Sequence, residues 1–237
     1  MSPEEISAKI LNAMQQVAQN RLQRDVKKAV ITVPAYFNNT QKQATRHACE
    51  IAGLDCQRII NEPTAAAMAC GFHNADEEMN VVVFDFGGGT FDVSVLNIQD
   101  GLVDVLATNG DMNLGGRDLD EILVAKCIEK FQEQSGIDLS GDKRARARLL
   151  TVCEQAKKQL STSFEAQIRV LSLSGNHNFE FRLEKSQFEE LVVETLERVK
   201  EPLRKALEDA ELSNDEVNKV VLVGGSSRIP WIKDWLK

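Results

Sequence analysis

Apolar positions along this chain repeat with two different periods, and the switches between them outline its elements. Ile6, Ile10, Ala13, Met14 and Val17 make a helical stripe. Ser2 and Glu5 have capping-box spacing and Pro3 suits a first helical turn, which predicts a helix from Ser2 to about Asn20. Ala29 to Val33 is a short apolar run stopped by Pro34, hence a buried strand. A helix from about Thr40 to Ala52 follows, stopped by Gly53. Next come a strand from Gln57 to Asn61 and an alanine-rich helix from Pro63 to Cys70. His73 to Met79 is polar and acidic and reads as a surface crossover. Val81, Val82, Val83 and Phe84 then run into Asp85-Phe86 and Gly87-Gly88-Gly89-Thr90. Beyond that turn Phe91, Val93 and Val95 alternate with Asp92 and Ser94, so the stretch reads strand, glycine turn, strand.

The second half continues in the same way. Leu102 to Thr108 alternates as a strand, and helices are predicted over Asp118 to Gln134 and Ser140 to Leu160. Gln167 to Ser174 and Asn178 to Leu183 form a hairpin. Gln187 to Glu211 is helical with Pro202 inside it, which predicts a kink or two helices. Val220 to Val223 is a last buried strand, Gly224-Gly225 turns, and a helix begins near Ile229-Pro230. Strands alternating with helices place the chain in the α/β class.

Composition narrows the function classes. At 237 residues there is material for one large domain or two small ones, and 43% apolar with 27% charged residues is a globular balance. A net charge of −8 argues against a nucleic-acid footprint. No apolar run approaches the roughly 20 residues that span a bilayer. The N-terminus shows no charged and then apolar signal segment. Five scattered cysteines without C-x-x-C spacing predict free thiols in a reducing, cytoplasmic setting, and three scattered histidines suggest no metal cluster.

The glycine turn carries the chemistry. An ordinary hairpin accounts for a lone Gly-Gly turn. Here Asp85, Thr90 and Asp92 crowd one apex, and glycines let backbone N–H groups converge on an anion. The favoured reading is therefore a loop for phosphate and magnesium. It is neither a dinucleotide fingerprint nor a P-loop, because neither spacing occurs and a strand follows. Glu62 sits at a strand-to-helix switch, where the helix dipole alone explains an acid, or where it orients a water. Glu154, Lys157, Lys158 and Ser161 share one helical face, readable as a salt-bridged surface. Lys143 to Arg148 reads as a solvated basic face, and Trp231 and Trp235 as core or interface. Gly224-Gly225 before a helix is a ready anion or nucleoside site, and Arg228 could lie across a base. Cys153 is either an inert buried thiol or one activated by Lys157, one turn away.

Five words occur in order: Ile31-Thr32-Val33-Pro34-Ala35-Tyr36-Phe37-Asn38; Ile59 to Ala67, with Asn61-Glu62-Pro63-Thr64; Phe84 to Val93; Gly110 with Leu114-Gly115-Gly116; and Leu222 to Pro230. Together they resemble the nucleotide-binding domain of the 70-kDa heat-shock chaperones, from about Pro3 to the last residue. The resemblance implies an actin-like ATPase (ribonuclease H-like) architecture that binds ATP or ADP with magnesium and hydrolyses ATP to drive protein folding in the stress response. It implies that Gly87, Gly88, Gly89 and Thr90 grip phosphates, and that Glu62, Asp85, Thr90 and Asp92 are catalytic. Asp85, and Glu62 through water, would hold the metal. Gly115, Gly116, Glu154, Lys157, Lys158, Ser161, Gly224, Gly225, Ser226 and Arg228 would contact the nucleotide.

Departures from the family pattern set further expectations. Arginine is usual where Lys158 stands, so stacking on the base should be weaker. Arg117 replaces a usual acid, while Asp120 keeps its acidic place. The family's earlier strand, first phosphate loop and catalytic lysine have no counterpart here, nor do its final helices and substrate-binding domain. The expectation is thus a domain incomplete at both ends: 1–78 from the first lobe, 79–114 and 193–237 from the second-lobe core, and 115–192 as a small inserted subdomain. ATP hydrolysis by such a piece should be poor. The expected partners are nucleotide, exchange factors and J-domain co-chaperones, with no nucleic acid, no membrane and a monomeric state. One rival is a non-catalytic module that binds co-chaperones or exchange factors, which calorimetry with magnesium-ADP discriminates. A sugar or acetate kinase of the same superfamily is the other, and no sugar-binding word supports it.

Overall fold

The structure is a computed structural model that describes residues 1–72 and 78–237. Most of the acidic crossover read at 73–79 therefore lies outside the described residues. The elements run α1 (Pro3–Leu22), β1 (Lys28–Val33), α2 (Asn39–Ile51), β2 (Asp55–Asn61), α3 (Glu62–Ala69), β3 (Met79–Phe86), β4 (Phe91–Gln99) and β5 (Leu102–Asp111). After them come α4 (Gly116–Ser135), α5 (Lys143–Leu160), β6 (Glu165–Ser174), β7 (His177–Glu184), α6 (Lys185–Glu197), α7 (Lys200–Asp209), β8 (Lys219–Val223) and α8 (Pro230–Trp235). The fold is mixed α/β. β1 and β2 pair in parallel, β6 and β7 antiparallel, and four strands form a sheet in the order β5-β4-β3-β8.

The chain divides into two units. The first contains Met1–Val83, Ser94–Thr108 and Asp215–Val221. The second contains Phe84–Val93, Asn109–Asn214 and Leu222–Lys237.

In the first unit α1 begins as its sequence dictates. The Ser2 hydroxyl accepts from the Glu5 N–H while the Glu5 carboxylate accepts from the Ser2 N–H. The stripe that marks the helix in the sequence is not the face it packs with. Ile6, Ile10, Met14 and Val17 are 49%, 63%, 61% and 59% exposed, while Ala8 is buried with Cys49, Ala52 and Leu54 and partly buried Leu11 packs beside them. The small Ala8 lets α1 lie close on α2, and the larger side chains turn outward. α2 has its own capping box between Asn38 and Gln41, and Gly53 follows it with a φ of +73° that suits glycine.

The second unit holds the aromatic core. Phe84, Phe86 and Phe91 are fully buried, with Phe84 and Phe91 centroids 4.6 Å apart and Trp235 6.4 Å from Phe84. Trp231 stacks on Trp235, and the Lys200 ammonium lies over both rings. The β6–β7 hairpin packs on α4 and α5, where Phe131 and Phe179 meet edge to face at 6.0 Å. The basic run of α5 is a solvated face, as its composition predicts. Arg146 pairs with Glu121, and Arg148 donates to the carbonyls of Leu171 and Ser172.

The helix containing Pro202 is two helices, with the break at Arg198–Val199 rather than at the proline. Proline has no N–H for the carbonyl four residues earlier, and its ring crowds that carbonyl, here of Arg198. The amides of Arg198 and Val199 accordingly fall back on Thr195 and Leu196, three residues away.

Candidate functional site

The site grows from the turn between β3 and β4. The Gly87 N–H donates to the Thr90 carbonyl at 3.0 Å, closing the loop. Its carbonyls are held from below: Gly116 N–H donates to Gly87 O at 3.0 Å, Arg117 N–H to Gly88 O at 2.8 Å, and Ser226 Oγ to Gly87 O at 2.7 Å. Among the described residues the N–H groups of Gly88 and Gly89 donate to nothing. The loop thus turns its acceptors toward α4 and leaves two donors free, an arrangement suited to an anion.

Glycine is required where α4 meets this loop. A Cβ on Gly115 would stand 2.5 Å from the backbone of Gly88 and Gly89, and one on Gly116 would stand 2.4 Å from Ser226 Oγ. Gly224 has a φ of +83°, and a Cβ there would fall 2.3 Å from the Phe86 carbonyl oxygen.

Two carboxylates flank the loop. Burial pushes the Asp85 carboxyl above its ordinary value and the charge of nearby Asp92 adds to this. Burial also raises Asp92, and a hydrogen bond from Thr90 Oγ1 at 3.2 Å pulls it partly back. Two close, half-buried carboxylates that resist ionisation fit a hydrated magnesium ion, which would relieve their repulsion and needs only one or two protein carboxylates. Among the described residues no cluster of three or more His, Cys, Asp or Glu forms a metal cage. Glu62 lies in the first unit, at the first position of α3.

Beside the loop the second unit has a cavity of about 590 Å³. The sequence-predicted residues Gly88, Gly116, Glu154, Lys157, Lys158, Ser161, Gly225 and Ser226 line it, so the structure brings the loop, the α5 face and the last glycine turn together. Gly87, Gly89, Thr90, Gly115 and Gly224 stand behind or beside that lining, and Arg228 is exposed outside it. A 3-10 turn, Ser226–Arg228, separates Gly225 from α8, so the glycine turn does not open directly onto a helix.

Charge in the cavity wall is mostly paired. Lys157 is buried, and its Nζ lies 2.8 Å from both Asp120 oxygens, with hydrogen-bond geometry to Oδ2, and 2.7 Å from Gly116 O. Burial pushes the Asp120 carboxyl up and the Lys157 ammonium opposes that. Lys158 Nζ meets Glu154 Oε1 at 2.6 Å, which holds the Glu154 carboxyl below its usual range.

Sequence reasoning did not assign Arg117, Asp120, Leu150 or Ile229 to this lining. Leu150 stands four residues before Glu154 on one helical face, a signal that was present in the spacing. Ile229 gave none, because an apolar residue after a glycine turn reads as core. The reactive reading of Cys153 is corrected. Its thiol is fully buried 3.7 Å from the Cys127 sulfur, and that hydrogen bond and burial push it well above the usual thiol range.

A family model described as Hsp70 protein matches residues 1–237. Its match runs through the hairpin loop, the glycines under it and the α5 face alike, and this chain belongs to the Hsp70 family.

Proposed function

We propose that this chain is the ATP- and ADP-binding domain of an Hsp70-type chaperone, with the actin-like ATPase architecture the family implies. The observation that carries it is the cavity joining the free amides of the β3–β4 loop to the α5 face. Gly87, Gly88, Gly89 and Thr90 take the phosphates, and Asp85 and Asp92 hold a magnesium ion through its waters. Gly115 and Gly116 let α4 approach the loop closely enough to form the floor. Glu154, Lys157 and Ser161 face the ribose, and Lys158 lies toward the base. Gly225 and Ser226 form the opposite wall, with Gly224 shaping the turn behind them and Arg228 outside it. The leucine and isoleucine at 150 and 229 supply apolar surface for a flat ring.

The reading extends to ATP hydrolysis, in which Asp85 and Asp92 help place the attacking water; a catalytic role for Glu62 is what the family resemblance implies. Phosphoryl transfer depends on such positioning and on charge stabilisation more than on covalent chemistry by the protein. Co-chaperones and exchange factors are the partners this reading brings with it. The alternative module that binds only those partners predicts no nucleotide affinity.

Titration calorimetry with magnesium-ADP tests the reading. A Cβ on Gly88 meets nothing within 4 Å, so Gly88→Val leaves the fold intact while a branched side chain covers the free amides. The wild-type chain is expected to bind and the variant to lose binding at an unchanged circular dichroism spectrum. Equal affinity in both would move the nucleotide away from this loop, and no binding by either would favour the partner-binding module.

A further inference from the structure

The cavity contains five formally charged side chains: Arg117, Asp120, Glu154, Lys157 and Lys158. Four of them cancel in pairs, Lys157 with Asp120 and Lys158 with Glu154. Arg117 does not. Its backbone N–H holds the Gly88 carbonyl, but among the described residues its exposed guanidinium has no carboxylate or carbonyl partner. The cavity wall therefore carries one uncompensated positive charge, set on the residue bonded to the loop with two free amides.

We propose that Arg117 is a specificity-determining residue of this site, selecting ligands that carry a polyphosphate over the bare nucleoside. The inference rests on the nucleotide reading above and adds to it the residue that distinguishes ligand charge. A guanidinium presents a planar fork of donors that fits two phosphate oxygens at once, which neither paired lysine is free to do. The amides of Gly88 and Gly89 orient an anion without carrying net charge, so the formal charge comes from Arg117. Its place in the first turn of α4 adds a second reason. Cations are disfavoured there by the helix dipole, and an anion against the guanidinium relieves that cost.

The test compares two probes, magnesium-ADP and adenosine, on the full chain with Arg117→Glu, Arg117→Gln and Arg117→Lys. Glutamate suits a first helical turn, so the reversed charge leaves folding intact, as a thermal melt verifies. Arg117→Glu is expected to weaken magnesium-ADP about tenfold or more, the scale of one charged hydrogen bond, with adenosine affinity unchanged. Arg117→Gln should fall between, and Arg117→Lys should recover most but not all of the affinity. The dependence of ADP affinity on salt should be shallower in Arg117→Glu than in the wild type. Magnesium-ADP affinity indifferent to Arg117, or equal losses for ADP and adenosine, overturns the proposal while leaving the nucleotide reading in place. A wild-type chain that binds neither probe overturns both.

Discussion

At the scale of single residues, Asp85 and Asp92 make the sharpest prediction. Both carboxyls are raised above the ordinary 3.8, first by burial. A raised carboxyl binds its proton more tightly in the folded state, so without metal the cost of charging is present above the folded value. As pH falls through that value the cost fades, and it is gone below the ordinary one. Magnesium needs the ionised form and so works against the proton. Magnesium-dependent stabilisation of the chain should therefore decline as pH drops through the raised values, at a pH where ordinary carboxylates are still charged. Thermal melts with and without magnesium from pH 7 to 4 would read this, and a constant magnesium effect down to the ordinary carboxylate range would remove these residues from the metal site. These acids and the three glycines between them were legible in the sequence because they are contiguous, and a contiguous turn cannot scatter its residues. Asp120 and Arg117 were harder, since their roles depend on which charges across α5 already have partners. No spacing within α4 reveals that.

Elements were mostly legible, and where they were not, the reason is local. The capping boxes at Ser2 and Asn38 and the glycine stop at Gly53 are written in adjacent residues. The break between α6 and α7 is displaced from Pro202 because the steric consequence of a proline falls four residues upstream. The pairing of α4 with α5 was invisible, and it decides the chemistry of Cys153. Of the two readings of that thiol, inert and buried or activated by Lys157, the structure supports the first: the ammonium is occupied by Asp120 and Gly116 O, while the sulfur faces Cys127 inside the helix pair. Iodoacetamide should therefore alkylate exposed Cys70 first and leave Cys127 and Cys153 until the chain opens. Mass-spectrometric mapping of the sites over time measures this. Labelling of Cys153 as fast as Cys70 would contradict the packing of α4 on α5.

For the whole molecule, the α/β alternation foretold the class of fold, because period and length are properties of each segment alone. How the chain divides into units was not accessible that way, since each unit collects three separate stretches of sequence. Among the described residues no helix is long and apolar enough to cross a membrane. What the chain does expose is the outer face of α1, and this bears on how it behaves at high concentration. A net charge of −8 keeps copies apart at low ionic strength. At molar salt the screening length shrinks to about 3 Å, and that repulsion no longer reaches a neighbour. Sulfate also strengthens apolar association. Ile6, Ile10, Met14 and Val17 should then set the precipitation point, and the paired change Ile10→Lys with Met14→Glu should move it to higher ammonium sulfate without altering the melting temperature. An unchanged salting-out curve would assign the limit of solubility to another surface. In a purification, the same stripe should make the chain bind hydrophobic-interaction resin strongly, and the paired variant should elute early.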